Sequence, residues 1–138
     1  MRILSAGCAL LALAVSNSAW ACSCVPPPPP KQALAKSAAV FAGKVTDVKR
    51  DGFQLRVTFE VSKAWKGTKG KTVEVTTATE SAACGYGFKK GTSYLVYCYA
   101  PKAKGKKATV LSTNICTRTK TLASAKGDLK ELGPGKKP

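Results

Sequence analysis

The feature that most constrains the fold is a run at residues 53–62 in which apolar and polar side chains alternate strictly. The apolar members are Phe53, Leu55, Val57, Phe59 and Val61. An alternation of period two places successive side chains on opposite faces of a strand, so the run predicts a half-buried β-strand. The chain is therefore expected to build its core on a sheet.

Shorter β-rich segments surround this strand along the 138-residue chain. A single core seldom divides below about 200 residues, so one domain is expected. Five or so strands with short turns and short flanking helices favour a mainly β fold, a five-stranded OB-type Greek-key barrel. A β-sandwich is the alternative, but it needs about seven short strands. The predicted elements are helices at 31–38 and 122–132, strands at 40–48, 53–62, 72–77, 94–100 and 108–111, a turn at 51–52 and a basic hairpin loop at 101–107.

The first residues have the three-part pattern of a secretory signal peptide. Arg2 supplies the positive start, residues 3–15 are apolar but too short to span a bilayer, and Ala19-Trp20-Ala21 is a cleavage motif. The expected parts are the signal peptide at 1–21, a domain at 22–133 and a disordered basic tail at 134–138. We expect a secreted or periplasmic protein. A lipid-anchored envelope protein is the weaker alternative, because Cys22 directly follows the cleavage motif.

Composition excludes several kinds of catalytic site. The chain has 23 Lys and Arg, 7 Asp and Glu, no histidine and a formal net charge of +16. Without histidine there is no Ser-His-Asp triad, no Cys-His pair and no histidine-ligated metal, so we expect no enzyme activity, no cofactor and no metal site of its own. The excess lysine favours attraction to anionic lipid or polysaccharide surfaces rather than to nucleic acid, because export removes the chain from the cytoplasm. The lysine-rich runs are 66–71, 102–107 and 136–137.

Export also affects how the cysteines are interpreted, because an oxidising compartment favours disulfides. Of the six cysteines, Cys8 would be lost with the signal peptide, which leaves five: Cys22, Cys24, Cys84, Cys98 and Cys116. An odd number means that at least one thiol stays free or pairs with another chain.

Four short stretches carry a resemblance to a known family. They are Cys22-Ser23-Cys24-Val25-Pro26-Pro27, Val40 to Val45, Ala64-Trp65-Lys66-Gly67 and Glu80-Ser81-Ala82-Ala83-Cys84-Gly85-Tyr86. Over residues 22–88, and more loosely as far as Cys116, the chain resembles the tissue inhibitors of metalloproteinases, within the netrin-like modules. Its single domain and short signal peptide are typical of a bacterial member. The resemblance implies an OB-type barrel in which Cys22 pairs with Cys84 and Cys24 pairs with Cys116.

The same resemblance implies a way of inhibiting a zinc metalloproteinase. Cys22 would chelate the catalytic zinc of the protease through its α-amino nitrogen and carbonyl oxygen, because such enzymes keep one coordination position open. The alternative is a secreted netrin-like binding module without inhibitory activity. The residues expected to contact the protease are Ser23, Cys24, Val25, Pro26, Ala82 and Ala83.

The chain departs from the family pattern at Cys98. The inhibitory domain of the family usually has three disulfides, and the family places no bridge at this position. We therefore expect a monomer with a buried free thiol at Cys98, since cysteine packs well as a small apolar residue. A dimer linked through Cys98 is the alternative.

Overall fold

The computed structural model describes residues 21–101 and 110–138. Most of the expected signal peptide, most of the basic loop and the start of the strand expected at 108–111 lie outside the described residues. None of the helices in the described part of the chain is long and apolar enough to cross a membrane. The elements are α1 (Pro30–Lys36), β1 (Ala39–Asp51), β2 (Gln54–Lys66), β3 (Thr72–Ala78), β4 (Ser93–Cys98), β5 (Leu111–Ser112), β6 (Lys120–Thr121) and α2 (Lys126–Leu132), with 3-10 turns at Ser81–Ala83 and Leu122–Ser124.

The strands form one curled six-stranded sheet with the order β5-β3-β2-β1-β4-β6. The pairs are antiparallel except for β3 with β5, so the sheet is mixed. Beyond the end of β4, Tyr99 exchanges two backbone hydrogen bonds of 2.8 Å with Ser112 on β5. The mainly β class is confirmed, in the form of a half-barrel with two short α-helices.

The alternating run predicted from the sequence forms the middle of β2. Val57, Phe59 and Val61 are buried, as the pattern predicts. Phe53 is the exception, because it precedes β2 in the turn after Asp51 and is 85% exposed. Strand pairing ends at the Asp51 and Gln54 partners, so the aromatic ring at the turn has no neighbouring strand to cover it.

The sheet is covered on both faces by separate apolar clusters. One cluster fills the curl of the sheet, where Phe59 makes edge-on contacts with Phe41 and Phe88 at ring-centre distances of 5.2 Å. The other cluster packs α1 and the C-terminal elements against Val40 and Tyr97 on the opposite face. Because β1 contributes to both, its first five residues are all buried and show no alternation.

The C-terminal segment differs from the expected tail. Residues 134–138 were expected to be disordered, but Lys136 exchanges two backbone hydrogen bonds of 2.8 Å with Ala64. The pairing of β2 with β3 ends at Glu60 and Thr72, so the last residues of β2 have an open edge on that side. The C-terminal strand-like segment satisfies backbone groups there that would otherwise lack a partner.

A buried carboxylate fastens α2 to the sheet. Asp128 accepts hydrogen bonds from the Tyr97 hydroxyl at 3.0 Å, from two Arg118 nitrogens at 2.7 and 2.8 Å and from Lys120 Nζ at 3.0 Å. Burial raises the pKa of Asp128, but these hydrogen bonds outweigh burial and lower the pKa to about 2. Arg118 also donates to the carbonyl oxygen of Pro28 at 3.2 Å, so the same cluster ties down the N-terminal segment.

Candidate functional site

The segment before α1 is extended and lies on the surface. Prolines at 26–30 fix the backbone and remove amide donors, so the segment cannot join a helix interior or a sheet. Ser23, Cys24 and Pro26 are exposed, and the Val25 side chain is 84% exposed. An exposed apolar side chain on a stiff segment is available to a partner at a small entropic cost.

Two disulfides fasten this segment to the body of the protein. Cys22 is bonded to Cys84 with a Cα–Cα distance of 5.3 Å, and Cys24 to Cys116 with a distance of 5.1 Å. These are the pairs that the family resemblance implies. The bridges close loops with separations of 62 and 92 residues. On the entropic model, loops of that size are worth at most about 4 to 5 kcal/mol each.

The two disulfides lie side by side, since Cys84 Sγ and Cys116 Sγ are 3.9 Å apart. The sulfur atoms of Cys22, Cys24 and Cys116 lie within 4.8 Å of one another, a spacing that metal ligands can have. All of these sulfurs are in disulfides, however, and only the thiolate is a good metal ligand. The cluster is therefore a covalent staple in the oxidised protein.

The backbone around Cys84 has a conformation that few other residues would allow. A 3-10 turn at Ser81–Ala83 ends at Cys84, whose φ of 61° lies in the left-handed region. A Cβ on the next residue, Gly85, would lie 2.7 Å from the carbonyl carbon of Ala78, so only glycine fits there. The turn leaves Ala82 and Ala83 exposed beside the disulfide, where the sequence placed a second contact.

A third segment, at 114–116, belongs to the same surface and was missed from the sequence. The Ile115 amide donates to the carbonyl oxygen of Cys84 at 2.9 Å, and its side chain is 44% exposed. Asn114 Oδ1 accepts from the Cys116 amide at 2.9 Å, which forms a local turn. The asparagine two residues before a cysteine was the available signal for that turn.

We call residues 22–26, 81–85 and 114–116 together the disulfide ridge. None of these residues has a charged side chain, although the chain as a whole carries a net charge of +16. Depletion of charge together with exposed apolar side chains is typical of the centre of a protein-binding surface. The ridge brings together all the residues that the sequence nominated for protease contact.

Cys98 lies apart from the ridge, in the core. Its side chain is 1% exposed, and it is the free cysteine of the described residues. Burial raises the pKa of its thiol to about 12, so the reactive thiolate is scarce at neutral pH. The geometry corresponds to the first of the two alternatives for Cys98, a buried thiol.

Comparison with known proteins identifies no family. No protein-family model matches the chain, and no curated protein matches it significantly.

Proposed function

We propose that the chain is a secreted, netrin-like inhibitor of zinc metalloendopeptidases. One observation carries the proposal: two disulfides hold the half-buried Cys22 and its exposed neighbours Ser23 and Cys24, which have no charged side chains, on the disulfide ridge. A residue presented in this way offers its backbone atoms to a partner, while its side chain is occupied by the bond to Cys84.

The proposed chemistry requires cleavage after Ala21, which turns the amide nitrogen of Cys22 into a free α-amine. An α-amine has a pKa of about 8, so a usable neutral fraction exists at pH 7. Its nitrogen and the Cys22 carbonyl oxygen together form a bidentate group that displaces the water on the zinc of the protease. The metal belongs to the partner. Because the amine must lose its proton, inhibition is expected to strengthen as the pH rises from 6 to 8.

The remaining residues of the ridge would define which proteases bind. Ser23 follows the chelating residue and would enter the pocket next to the metal. Val25 and Pro26 would extend along the protease cleft, and Ala82 and Ala83 would contact its rim. The disulfides and prolines lower the ordering cost, because the bound conformation exists before the partner arrives.

The barrel part of the proposal is supported by the connections of β5. This strand pairs in parallel with β3, and its Ser112 pairs with Tyr99 beyond β4. A ring β1-β2-β3-β5-β4 is therefore proposed, which is the strand arrangement of a five-stranded OB-type barrel. In this reading β6 and the helices are additions outside the ring.

The decisive experiment compares two proteins that differ by one residue. The mature protein begins at Cys22, as verified by mass spectrometry, and the control retains Ala21 in front of it. We expect the mature protein to inhibit at least one member of a panel of zinc endopeptidases, and the control to be inactive because its nitrogen is an amide. Equal inhibition by both proteins would refute chelation, and no inhibition by either across the panel would refute the inhibitor.

A second candidate function is a non-inhibitory secreted module that is attracted to anionic lipid or polysaccharide surfaces. The observation that favours it is the excess of 23 basic over 7 acidic residues. Retention on heparin or on anionic vesicles is expected at low salt and should vanish at moderate salt, since the Debye length falls to about 8 Å at 0.15 M. Retention that does not change with salt would exclude an electrostatic cause.

A further inference from the structure

A groove at the end of β2 is built from residues that the proposed inhibition does not use. Its volume is about 590 Å³, within the ~300 to 1,000 Å³ range of small-molecule sites. One side consists of Trp65 and the following turn with Thr68 and Lys69, and the other of the C-terminal residues Lys136 and Lys137. In the sequence these lysines belong to two separate runs, and the fold brings the runs together.

The aromatic wall of the groove is held in place by the C-terminal segment. The indole nitrogen of Trp65 donates to the carbonyl oxygen of Gly133 at 3.0 Å. A Cβ on Gly135 would lie 3.0 and 3.2 Å from two indole carbons, so this glycine allows the backbone to pack closely on the ring. The backbone pairing of Lys136 with Ala64 fixes the same segment, so the aromatic wall is ordered before any ligand binds.

The groove is electropositive. Lys69, Lys136 and Lys137 are exposed, and none of them forms an ion pair with another described residue. No Asp or Glu lines the described groove. Lys66 adds a further charge at the rim, although its ammonium group donates to the carbonyl of Ala35 at 2.9 Å.

A buried polar atom in the groove lacks a partner. Thr68 Oγ1 is buried and makes no hydrogen bond with any described residue. Buried hydroxyl groups are nearly always hydrogen-bonded, and an unpaired one is costly. The unsatisfied hydroxyl lies beside the aromatic ring and lysines of the groove, and a polar ligand there is one partner that would satisfy it.

We propose that this groove binds an acidic polysaccharide. Trp65 offers an apolar surface to a sugar ring, the lysines pair with its carboxylate or sulfate groups, and Thr68 exchanges a hydrogen bond with a sugar hydroxyl. This inference rests on the second proposed function, the attraction to anionic surfaces, and assigns that attraction to a specific site. Nucleic acid and lipid headgroups share the negative charge, and the experiment separates them.

The sequence provides a built-in probe for this groove. The chain has 2 tryptophans, Trp20 and Trp65, and the first would be lost with the signal peptide. The tryptophan fluorescence of the mature protein therefore reports on Trp65 alone. We expect a saturable fluorescence change with a heparin tetrasaccharide or an oligogalacturonate, and none with a neutral maltotetraose. Equal responses to acidic and neutral sugars, or no response at all, would overturn the proposal.

Two matched double variants distinguish the groove from diffuse charge. Lys136→Gln with Lys137→Gln removes the groove charges, while Lys89→Gln with Lys90→Gln removes the same charge from another exposed site. We expect roughly tenfold weaker sugar binding for the first pair, and less than about threefold for the second. Equal weakening of sugar binding in both double variants would overturn the groove as the site but leave the proposed diffuse attraction. If the unmodified protein were not retained on anionic surfaces at all, both proposals would be overturned.

Two further measurements test the occupant and the unpaired hydroxyl. A stronger Trp65 response to oligo(dT) or to phosphatidylserine vesicles than to acidic sugars would show that the groove has a different occupant. Thr68→Val keeps the shape but removes the hydroxyl, so we expect weaker sugar binding with an unfolding temperature equal to or above that of the unmodified protein. Unchanged affinity would exclude Thr68 from the site.

Discussion

Replacing Asp128 by asparagine tests how α2 and the N-terminal segment are held against the sheet. The Asp128 side chain is 5% exposed and accepts charged hydrogen bonds from Arg118 and Lys120, together with one from Tyr97. An amide keeps the shape but loses the charge and one acceptor. Arg118 would then be poorly paired, although it still donates to the Pro28 carbonyl oxygen in the segment that leads to the disulfide ridge.

The size of the effect follows from the pKa and the exposure of the partners. The pKa of Asp128 falls from 3.8 to about 2. Since each pKa unit corresponds to about 1.4 kcal/mol, this shift gives at most about 2.5 kcal/mol of charge-dependent stability. Arg118 and Lys120 are partly exposed, so solvent screening reduces this to about 1 to 2 kcal/mol. The poorly paired cations add to it, and we expect a total loss of about 2 to 4 kcal/mol at pH 7.

The sign of the pH dependence follows from the lowered pKa in the folded state. The contribution of the carboxylate is complete above about pH 4 and is lost as the pH falls toward 2. Urea unfolding of the natural and Asp128→Asn proteins at pH 7, 4 and 2.5 should therefore give free-energy curves that converge in acid. Asp47→Asn is the control, because its exposed pair with Lys49 at 3.5 Å should contribute less than about 0.5 kcal/mol. The reasoning would be refuted if the natural and Asp128→Asn proteins had equal unfolding free energies at pH 7, or if the difference between them were the same at every pH.

Three shorter predictions concern the core and the turns. Non-reducing mass spectrometry should find one thiol, on Cys98, which iodoacetamide modifies only after unfolding because the side chain is buried. Gly67→Ala should cost about 1 to 3 kcal/mol in thermal unfolding, since φ is +78° and the new Cβ would lie 2.7 Å from Ala39 Cβ. Phe53→Ser should change the unfolding free energy by less than about 0.5 kcal/mol, because Phe53 is exposed.

How much of the fold was predictable depends on whether a segment has one buried face or two. β2 was recognisable because one face of its middle part is buried, which gives an alternating pattern. The first residues of β1 are buried on both faces, between the two apolar clusters, so they indicate a strand only by composition. Phe53 fitted the alternating pattern but lies beyond the end of the strand pairing, which the pattern alone does not reveal.

The C-terminal segment shows why contacts distant in the chain escaped prediction. Pro134 and Gly135 with two lysines have the composition of a frayed end, and nothing local indicates that Lys136 pairs with Ala64. The reason is the open edge of β2, which exists because β3 begins at Thr72, opposite Glu60, and does not cover the residues of β2 that follow. The prediction of a single helix at 122–132 was correct only in part, because a 3-10 turn occupies the start of that stretch and α2 the rest.

Prediction of the disulfide ridge had a similar limit. The residues at 22–26 and 82–83 carried a local motif, and the disulfides place them together. Ile115 carried no motif and joins the ridge through its backbone bond to Cys84. Likewise, the Asp128 cluster draws its members from β4, from β6 and the chain just before it, and from α2, so no sequence spacing could indicate it.

The disulfide ridge and the Trp65 groove adjoin opposite ends of β3. Gly85 packs on Ala78 at the last residue of the strand, while the turn with Thr68 precedes its first residue, Thr72. A seven-residue strand spans about 20 Å, and sites so far apart act independently in most cases. Under the two proposals, a chain held on a polysaccharide by the groove would therefore keep Cys22 free for a protease. The two proposed contacts would also respond to different variables, because chelation would depend on pH through the α-amine and sugar binding would depend on salt through the lysines of the groove.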